Sequence, residues 1–395
     1  MQSTWNSPPK LMRSGSVASV LIEKSIAPPL SILRPTKPTS SATFPVYPDL
    51  EASLAEAEQQ TDPTVAHTLA VAAGYAYSDA TTMSMMLARM GLRDNHCLQV
   101  TMTVDAMFIR STAYLIQSSD GSVVILAYRG TEATNLINWL TDADVHPDKI
   151  AFLFPPDATN AGPWSSPPDA EAAQAQAYAV HAGFYRNVRA TRFEVIAALK
   201  RALDGRSVLD DDEASPMPPM DKPMTTLYLT GHSLGGAMAA LMAVMLSVEP
   251  EYIERFATVF KGASTYGAPM VGSPEFANAC SARTFLDQNV VRYVYRKDVV
   301  PHLPPRESDD FQHFGREYRY DRAWKDTSDK PITQMGDLLG LIEAPLGFVA
   351  SKFRLLRGIP FRFSLNDHGP QHYISAITPI NKPNEFGDAY LIPAR

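Results

Sequence analysis

The pentapeptide Gly231-His232-Ser233-Leu234-Gly235 constrains this chain more than any other feature, because it fits G-x-S-x-G, a serine held on a tight strand-to-helix turn. Glycines two residues before and two after the serine remove side chains that would collide on so sharp a turn. The serine then heads a helix whose backbone N–H groups face it. Three fixed positions alone decide little: with Gly and Ser each at about 7% of residues, a chain this long shows the pattern by chance on the order of one time in ten. The flanks decide it. Leu227-Tyr228-Leu229 runs into the pentapeptide as a strand would, and the small-residue run Gly235 to Ala240 leaves it as a helix. This context predicts a nucleophilic serine at residue 233. His232 adjoins it, but consecutive side chains diverge on such a turn, so a packing role is expected.

Around the turn, strand-like and helix-like stretches alternate. Leu54–Ala76 reads as one amphipathic helix, and Thr112–Gln117 and Val123–Tyr128 read as a β-hairpin about Asp120-Gly121. A helix follows over Ala190–Leu203. Strand Thr225–Thr230, helix Ala237–Val248 and strand Ala257–Tyr266 then argue for an α/β class with a central, mostly parallel sheet and helical crossovers. Residues 1–48 hold eight prolines among many serines and read as a flexible arm. Residues 49–395 are then one domain, with insertions at 146–177 and 326–363. Ile150-Ala-Phe-Leu-Phe154 in the first insertion reads as an exposed flap or loop, and Asp210–Glu213 as a solvated acidic connection.

Several classes are excluded. A net charge of −7 with no long Lys/Arg run argues against nucleic acid as a partner. Two cysteines, Cys97 and Cys280, make neither a disulfide framework nor a zinc spacing, and no metal or cofactor is expected. No stretch of about 18 apolar residues predicts a transmembrane segment. Met1–Pro29 has no unbroken apolar run before a small-residue cleavage site, so a cytoplasmic or peripherally membrane-associated protein is expected, with secretion open.

Several blocks, taken in order, resemble the class 3 lipase family, the fungal-lipase-like branch of the α/β-hydrolases. Val124-Ile-Leu-Ala-Tyr-Arg-Gly-Thr131 with Asn138-Trp139 is similar to the family's strand-RG[S/T]-helix segment, and Val180-His-Ala-Gly-Phe-Tyr185 to its V-H-x-G-F block. The G-H-S-L-G elbow, Thr265-Tyr-Gly-Ala-Pro-Met-Val-Gly272 and Asp298-Val-Val-Pro-His-Leu-Pro304 match further blocks. The resemblance covers roughly residues 60 to 380. It implies an α/β-hydrolase fold, a central mostly parallel sheet flanked by helices with lid or cap insertions, and hydrolysis of lipid esters through an acyl-enzyme. The long amino-terminal stretch and the two insertions depart from the family and leave substrate choice open.

In that fold the order along the chain is nucleophile, acid, histidine. Asp298 fits the acid: it follows the strand-like Val290–Tyr295 and opens a proline-bracketed loop, with Asp287 as fallback. Of the histidines beyond it, His302 shares the acid's loop and His313 lies in an aromatic strand-like stretch. His368, in Asn366-Asp-His-Gly-Pro370 before a short helix at His372–Thr378, is the expected base ahead of His372. The oxyanion donors are the backbone N–H groups of Leu234, from the elbow, and by resemblance Thr131. The family places its lid just past Thr131, where Leu136, Ile137 and Leu140 share a helical face beside Trp139, a pattern that an ordinary packed helix would also show. Gly336–Arg357 is a second candidate, read as a cap over the acyl pocket or an interfacial stripe. Partners are thus a lipid ester and a transient lipid surface. Phospholipase A1 or galactolipid acylhydrolase activity, and a catalytically silent interaction module, are the alternatives.

Overall fold

The computed structural model describes residues 18–26, 45–104, 109–130, 150–154, 176–210, 216–304, 310–335, 364–380 and 382. In chain order the elements are β1 (Ala18–Ile26), α1 (Leu50–Glu56), α2 (Pro63–Tyr75), α3 (Ala80–Met90), β2 (His96–Val104), β3 (Ile109–Gln117) and β4 (Val123–Tyr128). Next come β5 (Ile150–Phe154), β6 (Gln176–Val180), α4 (Ala182–Leu203), β7 (Thr226–His232), α5 (Leu234–Val248), α6 (Pro250–Phe256) and β8 (Phe260–Tyr266). The chain continues through α7 (Pro274–Ser281), α8 (Thr284–Asn289), β9 (Val290–Tyr295), β10 (Arg316–Tyr320), β11 (Trp324–Asp326) and α9 (Pro370–Ile377).

Nine strands form one sheet in the order β1-β2-β3-β4-β7-β8-β9-β10-β11. The sheet is mixed. Pairing is parallel from β4 through β7, β8 and β9 to β10, the strands that carry the site, and antiparallel at both flanks. The period-2 alternation of a strand assigns its side chains to two cores. Val124, Leu126 and Tyr128 of β4 join the core under α4 and α5, whereas Val123, Ile125 and Ala127 join the one under α1–α3 and α9. Because both faces are covered, β4 and β7 are buried along their whole length, and β4 reads as a continuous apolar run. Helix α5 is apolar on every side for the same reason: it is buried from Gly235 to Val248. No single described helix is long and apolar enough to cross a membrane.

The hairpin about Asp120-Gly121 is β3–β4, with Leu115 facing Leu126. Five other expectations changed. The single helix over Leu54–Ala76 is two, because Pro63 takes the first position of α2 and Asp62 caps it, accepting from the N–H groups of Thr64 and Val65. Helix α4 starts at Ala182 rather than Ala190; His181 caps its amino end, and burial of Phe184 and Val188 outweighs the poor helix propensity of that stretch. Ala18–Ile26, in the stretch read as a flexible arm, forms edge strand β1 in register with β2. Ile150–Phe154 is no exposed flap but pairs with β6, and Phe152 and Phe154 are buried against Phe276. Asp210 is also buried, holding Arg206 at 2.8 Å and the N–H of Met217 at 3.1 Å.

Candidate active site

Ser233 sits between β7 and α5 at φ 59° and ψ −132°, a conformation that L side chains rarely adopt. The turn is enforced from both sides. A Cβ at Gly231 would lie 2.2 Å from the Gly235 carbonyl oxygen, and one at Gly235 would lie 2.2 Å from the Tyr128 carbonyl oxygen. The Ser233 N–H donates to the Tyr266 carbonyl at 2.9 Å, fastening the strained residue to the neighbouring strand. Its Oγ is buried and makes no hydrogen bond.

The acid and the histidine, 70 residues apart in the chain, meet because their loops are zipped together. Ser364 N–H donates to the Lys297 carbonyl at 2.8 Å, and Lys297 N–H to the Asp367 carboxylate at 3.2 Å. Behind these contacts the His368 Nδ1 lies 2.8 Å from Asp298 Oδ2, with the aspartate fully buried. A carboxylate only accepts, so the imidazole proton belongs on Nδ1 and the Nε2 lone pair is left free. That Nε2 is buried and without a partner, like Ser233 Oγ. Buried polar atoms are rarely left so, and both are of the kind that a reacting group could engage.

The Asp298 carboxylate is held by two further donors. Val300 N–H reaches Oδ1 at 2.9 Å, and the Tyr373 hydroxyl donates to Oδ2. Burial, and then the Asp298 charge, push the Tyr373 phenol well above its ordinary range, so it remains a donor. Its oxygen also accepts the Tyr295 N–H at 3.1 Å. Gly267 closes the junction: a Cβ there would stand 2.6 Å from Asp298 Oδ2 and 3.0 Å from His368 Nδ1.

The other sequence candidates lie elsewhere. Asp287 is in α8, before β9, while Asp298 follows that strand, a separation of about 20 Å along it. With Glu58 and Arg316 it lines a polar cleft of about 760 Å³. His302 contacts the Thr333 carbonyl and His313 the Pro301 carbonyl, while His372 stacks on Tyr295. Leu234 is the first residue of α5, where the N–H has no partner within the helix. Thr131 and the lid residues Leu136, Ile137, Trp139 and Leu140 lie outside the described residues, as do Gly336–Arg357. Gly130, next to Thr131, is described: a Cβ there would lie 3.2 Å from Ser233 Cβ, so that loop passes directly over the serine.

Sequence reasoning gave no role at this site to Gly267, Tyr77 or the Tyr373 hydroxyl, and gave His232 only packing. Gly267 lies in the quoted T-x-G-x-P block, where the glycine itself is the signal available in sequence; the structure gives it a positive φ. Tyr77 bonds His232, and nothing in its local sequence points there. Arg129 lies over the Tyr77 ring at 5.9 Å. Among the described residues, no group of three or more His, Cys, Asp or Glu gathers so as to hold a metal ion.

Compared with known proteins, residues 125–308 match the model of the lipase (class 3) family. The chain is 34% identical over 152 residues to a triacylglycerol lipase, OBL1, of Arabidopsis thaliana, covering 36% of this chain and 27% of that protein. It is 28% identical over 230 residues to a lipase of Rhizomucor miehei, covering 56% and 50%. The chain thus spans half or less of the length of these relatives. The crystal structure of a lipase from Rhizopus microsporus var. chinensis aligns with a TM-score of 0.45 at 16% identity, over 83% of this chain and 95% of that one.

Proposed function

We propose, on the premise that residues 125–308 carry the class 3 lipase segment, that this protein is a serine carboxylic ester hydrolase acting on lipid esters, acylglycerols foremost. What carries the reading is the buried 2.8 Å hydrogen bond between His368 and Asp298, which leaves an unpartnered imidazole nitrogen and an unpartnered serine hydroxyl. The names of the relatives, triacylglycerol lipase and lipase, support acylglycerols over other esters.

In the proposed reaction Ser233 Oγ attacks the ester carbonyl carbon as its proton passes to His368 Nε2. Asp298 holds the Nδ1–H tautomer and stabilises the imidazolium that forms. The oxyanion receives the N–H of Leu234 and, in this reading, that of Thr131. Collapse breaks the ester C–O bond, and the departing alkoxide takes the proton from His368. Water then repeats the sequence on the acyl-enzyme, giving the free acid and restoring Ser233. The segment bearing Leu136, Ile137, Trp139 and Leu140 is read as the cover that meets the lipid surface.

The test is hydrolysis of p-nitrophenyl esters, emulsified triacylglycerols and phosphatidylcholine by the wild type and Ser233→Ala side by side. The expected result is turnover of triacylglycerol that falls by several orders of magnitude in the folded variant, since such residues act as a unit. Near-native turnover by Ser233→Ala overturns the nucleophile, and turnover of phosphatidylcholine above triacylglycerol overturns the substrate.

A further inference from the structure

The reaction above leaves one imidazole at its centre unused. His232 is buried, and its ring centroid lies 4.5 Å from that of His368. Its Nε2 is 2.6 Å from the main-chain carbonyl oxygen of His368, and its Nδ1 is 2.9 Å from the Tyr77 hydroxyl. A carbonyl oxygen can only accept, so Nε2 carries the proton. Nδ1 then presents a lone pair, and the Tyr77 hydroxyl donates to it. Burial, and then the neighbouring His368, push the His232 pKa well below its ordinary value, so the ring is neutral and holds a single proton. The opposite tautomer would set the Nε2 lone pair against the carbonyl oxygen, whereas the Tyr77 hydroxyl could serve either one.

The phenol is fixed in turn. A Cβ at Gly130 would lie 2.2 Å from the Tyr77 oxygen and 2.5 Å from the His232 carbonyl oxygen, so the loop ahead of Thr131 closes directly on this pair. One chain of contacts therefore joins the end of β4, the residue before the nucleophile and the backbone of the proposed base.

We infer that His232 is a positioning residue: its Nε2–H anchors the backbone of the His368 loop, and the Tyr77 hydroxyl, donating to Nδ1, holds the ring in the orientation that lets it do so. Asp298 then holds the base by its ring and His232 holds it by its main chain. Two anchors stop the imidazole from sliding along the Asp298 hydrogen bond away from Ser233. The inference rests on the proposed roles of Ser233 and His368.

The experiment uses the full chain with His232→Leu, His232→Gln and Tyr77→Phe. It reads kcat and KM on a soluble short-chain p-nitrophenyl ester, the rate of Ser233 phosphonylation by a fluorophosphonate, and the ring ¹⁵N shifts of His232. His232→Leu is expected to lose about 10²-fold in kcat and in phosphonylation rate, as a displaced catalytic group does, with KM unchanged. His232→Gln keeps an N–H at similar reach and recovers most of that loss. Tyr77→Phe loses about tenfold, the scale of one hydrogen bond, and the His232 Nδ1 ¹⁵N shift moves as that nitrogen loses the hydrogen bond it accepts, with Nε2 still protonated. A folded His232→Leu with native kcat, or a folded His232→Gln no better than His232→Leu, overturns the inference. Where His232→Leu does not fold, Tyr77→Phe with native kcat and an unchanged Nδ1 shift overturns it. A wild-type enzyme that fluorophosphonate does not label at Ser233 overturns the underlying reading instead.

Discussion

Gly267→Ala is a single added methyl aimed at the acid–base junction. Gly267 has φ +61°, and its Cβ would lie 2.6 Å from Asp298 Oδ2, 2.9 Å from the Tyr373 hydroxyl and 3.0 Å from His368 Nδ1. Two costs follow. The left-handed backbone costs alanine about 1–2 kcal/mol. The collision is separate: carbon–oxygen contacts are comfortable near about 3.3 Å, so the carboxylate oxygen must retreat by roughly 0.7 Å. The imidazole is bonded to that oxygen and must follow or lose its partner. A displacement approaching 1 Å costs about 10²-fold in rate, so kcat is expected to fall between about tenfold and a hundredfold with little change in KM. Gly205→Ala isolates the backbone term, since Gly205 has φ +70° but its nearest neighbour atoms would be 3.9 Å away. It should lose about 1–2 kcal/mol of stability and keep its kcat. The assay is steady-state hydrolysis of a soluble p-nitrophenyl ester, normalised to the folded fraction from circular dichroism, with urea unfolding of each variant. Native kcat in folded Gly267→Ala, or an equal kcat loss in Gly205→Ala, would refute the reasoning.

Tyr373→Phe removes the hydroxyl that donates to Asp298 and accepts from the Tyr295 N–H; a stability lower by about 1.5–3 kcal/mol in urea unfolding and a reduced kcat are expected, and unchanged values would show that the phenol holds nothing. Stability should also fall on acidification. Burial, with Lys382 adding a smaller push, lowers His67 to about 4, and burial lowers His181 to about 4. Unfolded histidines titrate near about 6.5, so between roughly pH 6.5 and 4 the unfolded chain binds more protons than the folded one, and stability drops as pH falls through that window. Each site contributes on the order of 3 kcal/mol. Urea midpoints measured at intervals from pH 7 to 4 check this, and a flat profile would contradict it.

Where sequence reading succeeded, the determinants were local. The elbow was legible because glycines at 231 and 235 flank a serine between an apolar strand and a small-residue helix, and each part of that pattern lies within a few residues of the next. Asp298 was expected from its place after an apolar strand and His368 from the Asn366-Asp-His-Gly-Pro370 segment, and the structure sets the two 2.8 Å apart. The misreadings at Ala18–Ile26 and Ile150–Phe154 share a cause. An edge strand is specified by the partner that receives its hydrogen bonds, here β2 and β6, and neither partner adjoins it in sequence.

Sequence alone thus determined the serine turn, the parallel strands that lead to it and the α/β class, and placed Asp298 and four candidate histidines behind Ser233. Tertiary structure decided which of four histidines meets Asp298, that Tyr373 shares its carboxylate, that Gly267 leaves room for the junction, and that His232 ties Tyr77 to the His368 backbone. The first set depends on backbone sterics and side-chain periodicity within one or two elements. The second depends on atoms a few ångströms apart in space but 31 to 155 residues apart in the chain, and only packing brings those together.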